Sequence, residues 1–177
     1  MLRGENVYLR LLEREDIPQR TSWINDEETN KMFRFDWPVS LAKSQQWFNT
    51  TVMDSSKIHF VIVDNETDQL VGMTGLLGIN NKDRHAEVYL TIGEKEYRGR
   101  GLSTEVLKLL IAYSFENLGL ERLCAHNFIY NIASQKMFEK VGFIKEGVMR
   151  KHSFKNGKLE DINIYGLLKE EWRNEYV

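Results

Sequence analysis

Alternation of apolar and polar positions predicts strands over residues 7–11, 59–64, 70–77, 84–92 and 122–126, most of them rich in β-branched and aromatic residues. Leu102, Val106, Leu109, Leu110, Tyr113 and Leu118 recur instead at helical spacing and predict a helix from about residue 102 to 118. Shorter helices are expected around 16–23, 41–51 and 132–141. The dipeptide Asn156-Gly157 separates two alternating runs, 147–154 and 161–168, which is the signature of a closing hairpin. Within 84–92, side-chain alternation puts Ala86, Val88, Leu90 and Ile92 on one face and Glu87, Tyr89 and Thr91 on the other. The first set marks the core, so Glu87 faces solvent or a cleft. The order strand, two helices, three strands, helix, strand, helix and hairpin predicts an α/β (α+β) fold.

Composition narrows the classes. The chain has 177 residues, 42% of them apolar, with no repeat and no Ser/Pro/Gly-rich linker, as expected of one soluble domain over 1–177. A net charge of −2 and a pI near 6.1 speak against a general nucleic-acid binder, whose phosphate contacts need a basic surface. No segment resembles a signal peptide or an apolar run of membrane-spanning length, which predicts a cytoplasmic protein with no membrane partner. Cys124 is the lone cysteine, so no intrachain disulfide forms, and its place in an apolar strand suits a small buried hydrophobe. His59, His85, His126 and His152 have no metal-like spacing, and no metal is expected.

The chemistry concentrates in Tyr97-Arg98-Gly99-Arg100-Gly101-Leu102-Ser103, between a strand and the long helix. N–H groups in a helix's first turn lack intrahelical acceptors and sit at the positive end of the macrodipole. Glycine lets a diphosphate approach them, and Arg98 and Arg100 add charge. The same residues also describe an ordinary strand-to-helix turn with two solvated arginines. A P-loop fails because Leu102 follows Gly101 where Lys is required, and a Rossmann turn is weak because Thr104 stands where its third glycine belongs. Arg-x-x-Gly-x-small remains.

That pattern resembles the acetyl-CoA pyrophosphate loop of the GNAT N-acetyltransferase superfamily, with Ser103 a mild departure from its Gly or Ala. A second match lies about thirty residues on: Asn131-Ile132-Ala133-Ser134 through Lys140-Val141-Gly142-Phe143 resembles the superfamily's later helix. Leu9-Arg10-Leu11, Glu13 to Asp16 and Trp23 to Asp26 extend the likeness to the branch of ribosomal-protein N-terminal, spermidine and amino-sugar acetyltransferases.

The resemblance implies a mixed, mostly antiparallel sheet of about seven strands, splayed at its centre and flanked by helices. It implies acetyl-CoA as co-substrate, with pyrophosphate on Arg98, Gly99, Arg100, Gly101, Leu102 and Ser103, and pantetheine along Leu90, Thr91 and Ile92 and against Asn131. The pantetheine amides would pair with that strand edge as an added strand does. Glu87 corresponds to a catalytic Glu of several members; a surface glutamate paired with Arg84 is the plainer alternative. Phe138 stands where many relatives carry a Tyr that protonates the departing sulfur. Ser134 matches a serine given that role in the ribosomal-protein branch; a first-turn serine that helps cap the helix is the plainer alternative.

The acceptor pocket would form from residues 23–39 and the closing hairpin. There Trp23, Asp26, Phe33 and Phe35 offer a cationic amine charge pairing and aromatic faces. An amphipathic helix followed by an aromatic core segment fits them as well. Arg34 and Arg150 would suit an anionic nucleotide-sugar instead. The expected partner is a small-molecule amine or a protein N-terminus, and a homodimer is an allowed assembly. The alternative is a catalytically silent acyl-CoA-binding module.

Overall fold

In the computed structural model, residues 1–33, 35 and 37–172 are described; Arg34 and Asp36 lie outside the described residues. Eight strands form one sheet: β1 (Leu2–Arg3), β2 (Val7–Leu11), β3 (Ile58–Asp64), β4 (Leu70–Asn80), β5 (His85–Ile92), β6 (Arg122–Phe128), β7 (Ile144–Lys155) and β8 (Lys158–Leu168). Their order is β1-β2-β3-β4-β5-β6-β8-β7, and every neighbouring pair is antiparallel except β5–β6. The strand beyond the expected seven is the two-residue β1 at one edge.

Alternation along β3 shows how both faces of the sheet come to be covered. Phe60 and Ile62 join Val7, Leu9, Val88, Val106 and Leu110 in the larger core, under α4 (Leu102–Ala112). Val61 and Val63 point the other way, into a smaller core with Trp23 of α1 (Ile17–Asn25) and Phe48 of α3 (Leu41–Thr51). α3 begins where the Ser40 side chain accepts from Lys43 N at 3.1 Å. α4 continues into a wider turn at Tyr113–Asn117, closed by Leu118 N donating to the Tyr113 carbonyl, so the long predicted helix is present with a change of pitch at its end. At the β7–β8 hairpin Asn156 and Gly157 take φ of 51° and 82°, the two positive values that its two-residue turn demands. Cys124 is half-buried rather than buried.

Regular pairing breaks off at the centre of the sheet. β5 and β6 pair only through His85–Arg122, Ala86–Leu123 and Glu87–Cys124. Beyond Glu87 the two strands diverge, leaving residues 88–92 with β4 on one side and a gap on the other.

Candidate active site

The gap opens into a cavity of about 640 Å³ that runs from β5 and β6 to α1, α3 and α5 (Ile132–Lys140). One wall carries Glu87, Val88, Leu90 and Thr91 from β5, faced by His126, Asn127 and Phe128 from β6 and by Asn131, Ser134 and Phe138 around α5. Ile92 turns its side chain into the core, and Thr91 is 3% exposed with no partner for its Oγ1.

β5 leads through a short turn at Lys95–Tyr97 into the glycine loop. Gly99 and Gly101 hold φ of 75° and 83°, left-handed values that favour glycine, and a Cβ on either would meet only open space. Among the described residues the backbone N–H groups of residues 99–103 have no internal acceptor, and Thr104 N is the first to find one, the Gly101 carbonyl at 3.0 Å. The loop therefore presents a row of free donors at the N-terminus of α4. The Leu102 side chain is buried in the core, so only its main chain belongs to this row. The Arg98 side chain does not: it reaches Thr29 Oγ1 at 2.7 Å, the Gly93 carbonyl at 3.1 Å, the Ile92 carbonyl at 3.2 Å and Glu28 at 3.3 Å. Arg98 thus braces α2 (Glu27–Lys31) against the end of β5 rather than adding charge to the loop. Arg100 lies over the Tyr97 ring at 4.9 Å.

Glu87 faces away from the core, as strand alternation requires, and sits where the strands part. Its Oε1 is 2.9 Å from His126 Nδ1, although that nitrogen lacks hydrogen-bond alignment. Asn131 caps α5 by accepting from Ser134 N at 3.1 Å, so Ser134 receives the cap instead of supplying it. Ser134 Oγ accepts from Asn127 Nδ2 at 3.3 Å, and Asn127 Oδ1 accepts from the buried Asn163 at 3.0 Å. Phe138 is core, against Phe143 and Tyr165. The nearby Tyr165 hydroxyl donates to Glu139.

The far end of the cavity is aromatic. Phe33 and Phe35 line it, as expected, together with Trp47, His59, Tyr89 and Arg20, which the sequence patterns did not single out. His59 is bonded at both nitrogens, to Tyr89 OH at 2.7 Å and Thr51 Oγ1 at 2.9 Å. Burial, followed by the charges of Arg20 and Lys57, pushes it down to about 4, so it is neutral at pH 7. Burial also pushes the Tyr89 hydroxyl up.

Two expected pocket residues lie elsewhere. Trp23 is 5% exposed in the smaller core, its Nε1 donating to Glu94 at 2.8 Å and its ring filling the space where a Cβ on Gly93 would stand. Asp26 caps α2 from Thr29 N at 2.8 Å and pairs with Lys95 at 3.1 Å. The cap bonds from Thr29, with Lys95, hold its carboxyl at about 2. Asp26→Ala should therefore cost about 1 kcal/mol at pH 7. The folded value lies below the roughly 3.9 of an unfolded Asp, so this contribution is complete above that value and lost as pH falls through about 2. Thermal melts of both proteins at pH 7 and pH 2 should show the difference shrinking. Arg150 borders a separate surface depression with Lys151 and Asp161. Among the described residues no three His, Cys, Asp or Glu side chains cluster as a metal site would need, and no helix is long and apolar enough to cross a membrane.

Comparison with known proteins places this architecture. The sequence model of the acetyltransferase (GNAT) domain matches residues 6–144. A putative ribosomal N-acetyltransferase of Bacillus subtilis is 30% identical over 179 residues, spanning 97% of this chain and 96% of its own. The spermidine N(1)-acetyltransferase of Escherichia coli K12 is 29% identical over 157 residues, 88% of this chain and 82% of its own. The crystal structure of spermidine N-acetyltransferase from Vibrio cholerae, in complex with CoA and spermine, superposes with a TM-score of 0.88 at 25% identity, covering 95% of this chain and 98% of that one.

Proposed function

The chain belongs to the GNAT acetyltransferase family, and on that premise we propose that it moves the acetyl group of acetyl-CoA to a primary amine held in the cavity, by direct attack in a ternary complex. The observation that carries this reading is the gap beside residues 88–92, which starts at Glu87 and follows β5 toward the free N–H groups of residues 99–103. The residues fit an extended, amide-bearing phosphate ester. The glycine loop supplies unpaired donors for a pyrophosphate, and the buried Thr91 Oγ1 waits for a polar partner along the strand edge. Bound acetyl-CoA supplies a thioester, an acyl group on a thiol leaving group.

The remaining work falls to this chain. An alkylamine with a pKa near ~10.4 is almost wholly protonated at neutral pH and must lose its proton to attack. Glu87 is the acceptor: it lies in the cavity at the point where the strands part, next to His126. His59 is already bonded at both nitrogens, to Tyr89 and Thr51, and has no free lone pair to offer the amine. Ser134 is the hydroxyl available on the α5 side, where Phe138 has none. A thiol with a pKa near ~8.5 leaves tolerably as thiolate, so a weak donor suffices. The candidate amines are a polyamine, a protein N-terminus or an amino sugar; the names of the spermidine and ribosomal relatives support the amine class.

Free-thiol release from acetyl-CoA across spermidine, an amino-sugar nucleotide, an aminoglycoside and peptides with Ala, Ser or Met N-termini tests this. Amine-dependent release is expected. Tight acetyl-CoA binding with no release would favour the silent acyl-CoA-binding module, to which the hydroxyl-free Phe138 is the pointer.

A further inference from the structure

Arg20 is 7% exposed, and among the described residues its guanidinium has neither a carboxylate nor any other hydrogen-bond partner. Burying an unpaired charge is costly, and arginine does not escape the cost by losing its proton. Burial lowers its pKa only to about 10, so it remains a cation at neutral pH. It is held by its faces: the guanidinium carbon stands 3.6 Å from the Trp47 ring centre and 5.6 Å from that of Phe35. Stacking occupies the faces of the plane, whereas the N–H donors lie along its edge and stay uncommitted.

A second side chain shares this state. Ser44, on α3, is 1% exposed with no partner for its Oγ, and it lines the same cavity. Buried polar groups are nearly always satisfied, so two such orphans lining one cavity mark a place where a ligand completes the bonding. The charge balance gives the sign. Glu87 is the one carboxylate among the described lining residues, and Lys57 there is already paired with Asp54 at 2.8 Å, so the sign at the far end is set by Arg20. A buried cation with uncommitted donors there favours an anionic group on the acceptor.

We propose that the acceptor is a primary amine that also carries a carboxylate, and that the carboxylate sits on the edge of the Arg20 guanidinium with Ser44 Oγ as a further donor, while the amine faces Glu87. The planar fork of arginine matches a carboxylate bidentately. This rests on the reading that the cavity receives a primary amine for acetylation.

The test compares amines that differ only by the carboxylate: β-alanine with ethylamine, lysine with cadaverine, phenylalanine with phenethylamine. Binding is followed by calorimetry with CoA saturating, and kcat/KM by thiol release from acetyl-CoA. At least one pair should favour the carboxylate by roughly tenfold to a hundredfold, the worth of a charge-assisted bidentate contact. Arg20→Met should bring that ratio close to one, Arg20→Lys should keep part of it, and Ser44→Ala should reduce it about threefold. The last two variants hold the test open if Arg20→Met does not fold. No preference in any pair, or a preference that survives Arg20→Met, overturns the carboxylate subsite. Thiol release with the decarboxylated amines alone would remove the subsite and leave the acetyltransferase. Arg20-dependent carboxylate binding without release would do the reverse.

Discussion

Glu87→Gln is expected to lower kcat/KM for the amine by about a hundredfold at neutral pH, within the usual range for losing a general base. The substitution keeps the shape and removes the only carboxylate among the described residues of the cavity wall. The pH profile carries the mechanism. With the carboxylate in place, the bound ammonium has an acceptor, and the rate falls off less steeply as pH is lowered. Without it only the free-base amine reacts, and that fraction rises tenfold per pH unit below ~10.4. The variant should therefore climb with a slope near one and approach the native enzyme in strong alkali. Thiol release measured from pH 6 to 10 reads this out, and calorimetric titration with acetyl-CoA separates lost chemistry from lost binding. Superimposable profiles would make Glu87 a carboxylate that merely faces His126.

The second large effect belongs to Gly101. Gly101→Val should weaken acetyl-CoA binding by about 2–3 kcal/mol, roughly 30- to 150-fold in Kd, by disturbing two or more charge-assisted bonds at the helix N-terminus. Space is not the obstacle in the protein alone, since an added Cβ meets nothing within 4 Å. The obstacle is the φ of 83°, which a β-branched residue resists at about 1–3 kcal/mol, together with methyl groups placed above the free N–H row. Calorimetric titration with CoA gives the affinity, and a thermal melt shows whether the fold persists. An unchanged Kd would remove the pyrophosphate from this loop. Arg98→Ala makes a poor companion, because Arg98 ties α2 to β5 and its loss strikes stability first.

The sequence was most legible where one period dominates. β2 appears over Val7–Leu11 as alternation predicts, and the Asn-Gly hairpin lies where its two residues require it. Glu87 was placed on its face by counting alone. α2 escaped notice because Glu27–Lys31 is five residues of largely polar character, with only the Asp26–Thr29 cap to announce it. Trp23 and Asp26 were misplaced for a related reason: an aromatic and an acid serve a cationic ligand or a core and a cap equally well, and only tertiary packing decides. Arg20 was invisible for the opposite reason. Its meaning depends on Trp47, from another helix, and on the lack of an acid partner among the described residues, which no local pattern records.

The three-pair seam between β5 and β6 bears on how the protein behaves in a crowd. An unpaired strand edge ordinarily recruits other chains and seeds aggregation, and proteins blunt such edges with charge, bulges or short length. Here the open edge lies in the middle of the sheet, inside a cleft walled by Phe128, Ser134 and Phe138. A foreign strand, with side chains on both of its faces, meets those walls, whereas a slender amide-bearing arm can lie along residues 88–92. Depth replaces charge as the safeguard, so this open stretch of backbone can stay exposed to small molecules while hidden from other proteins.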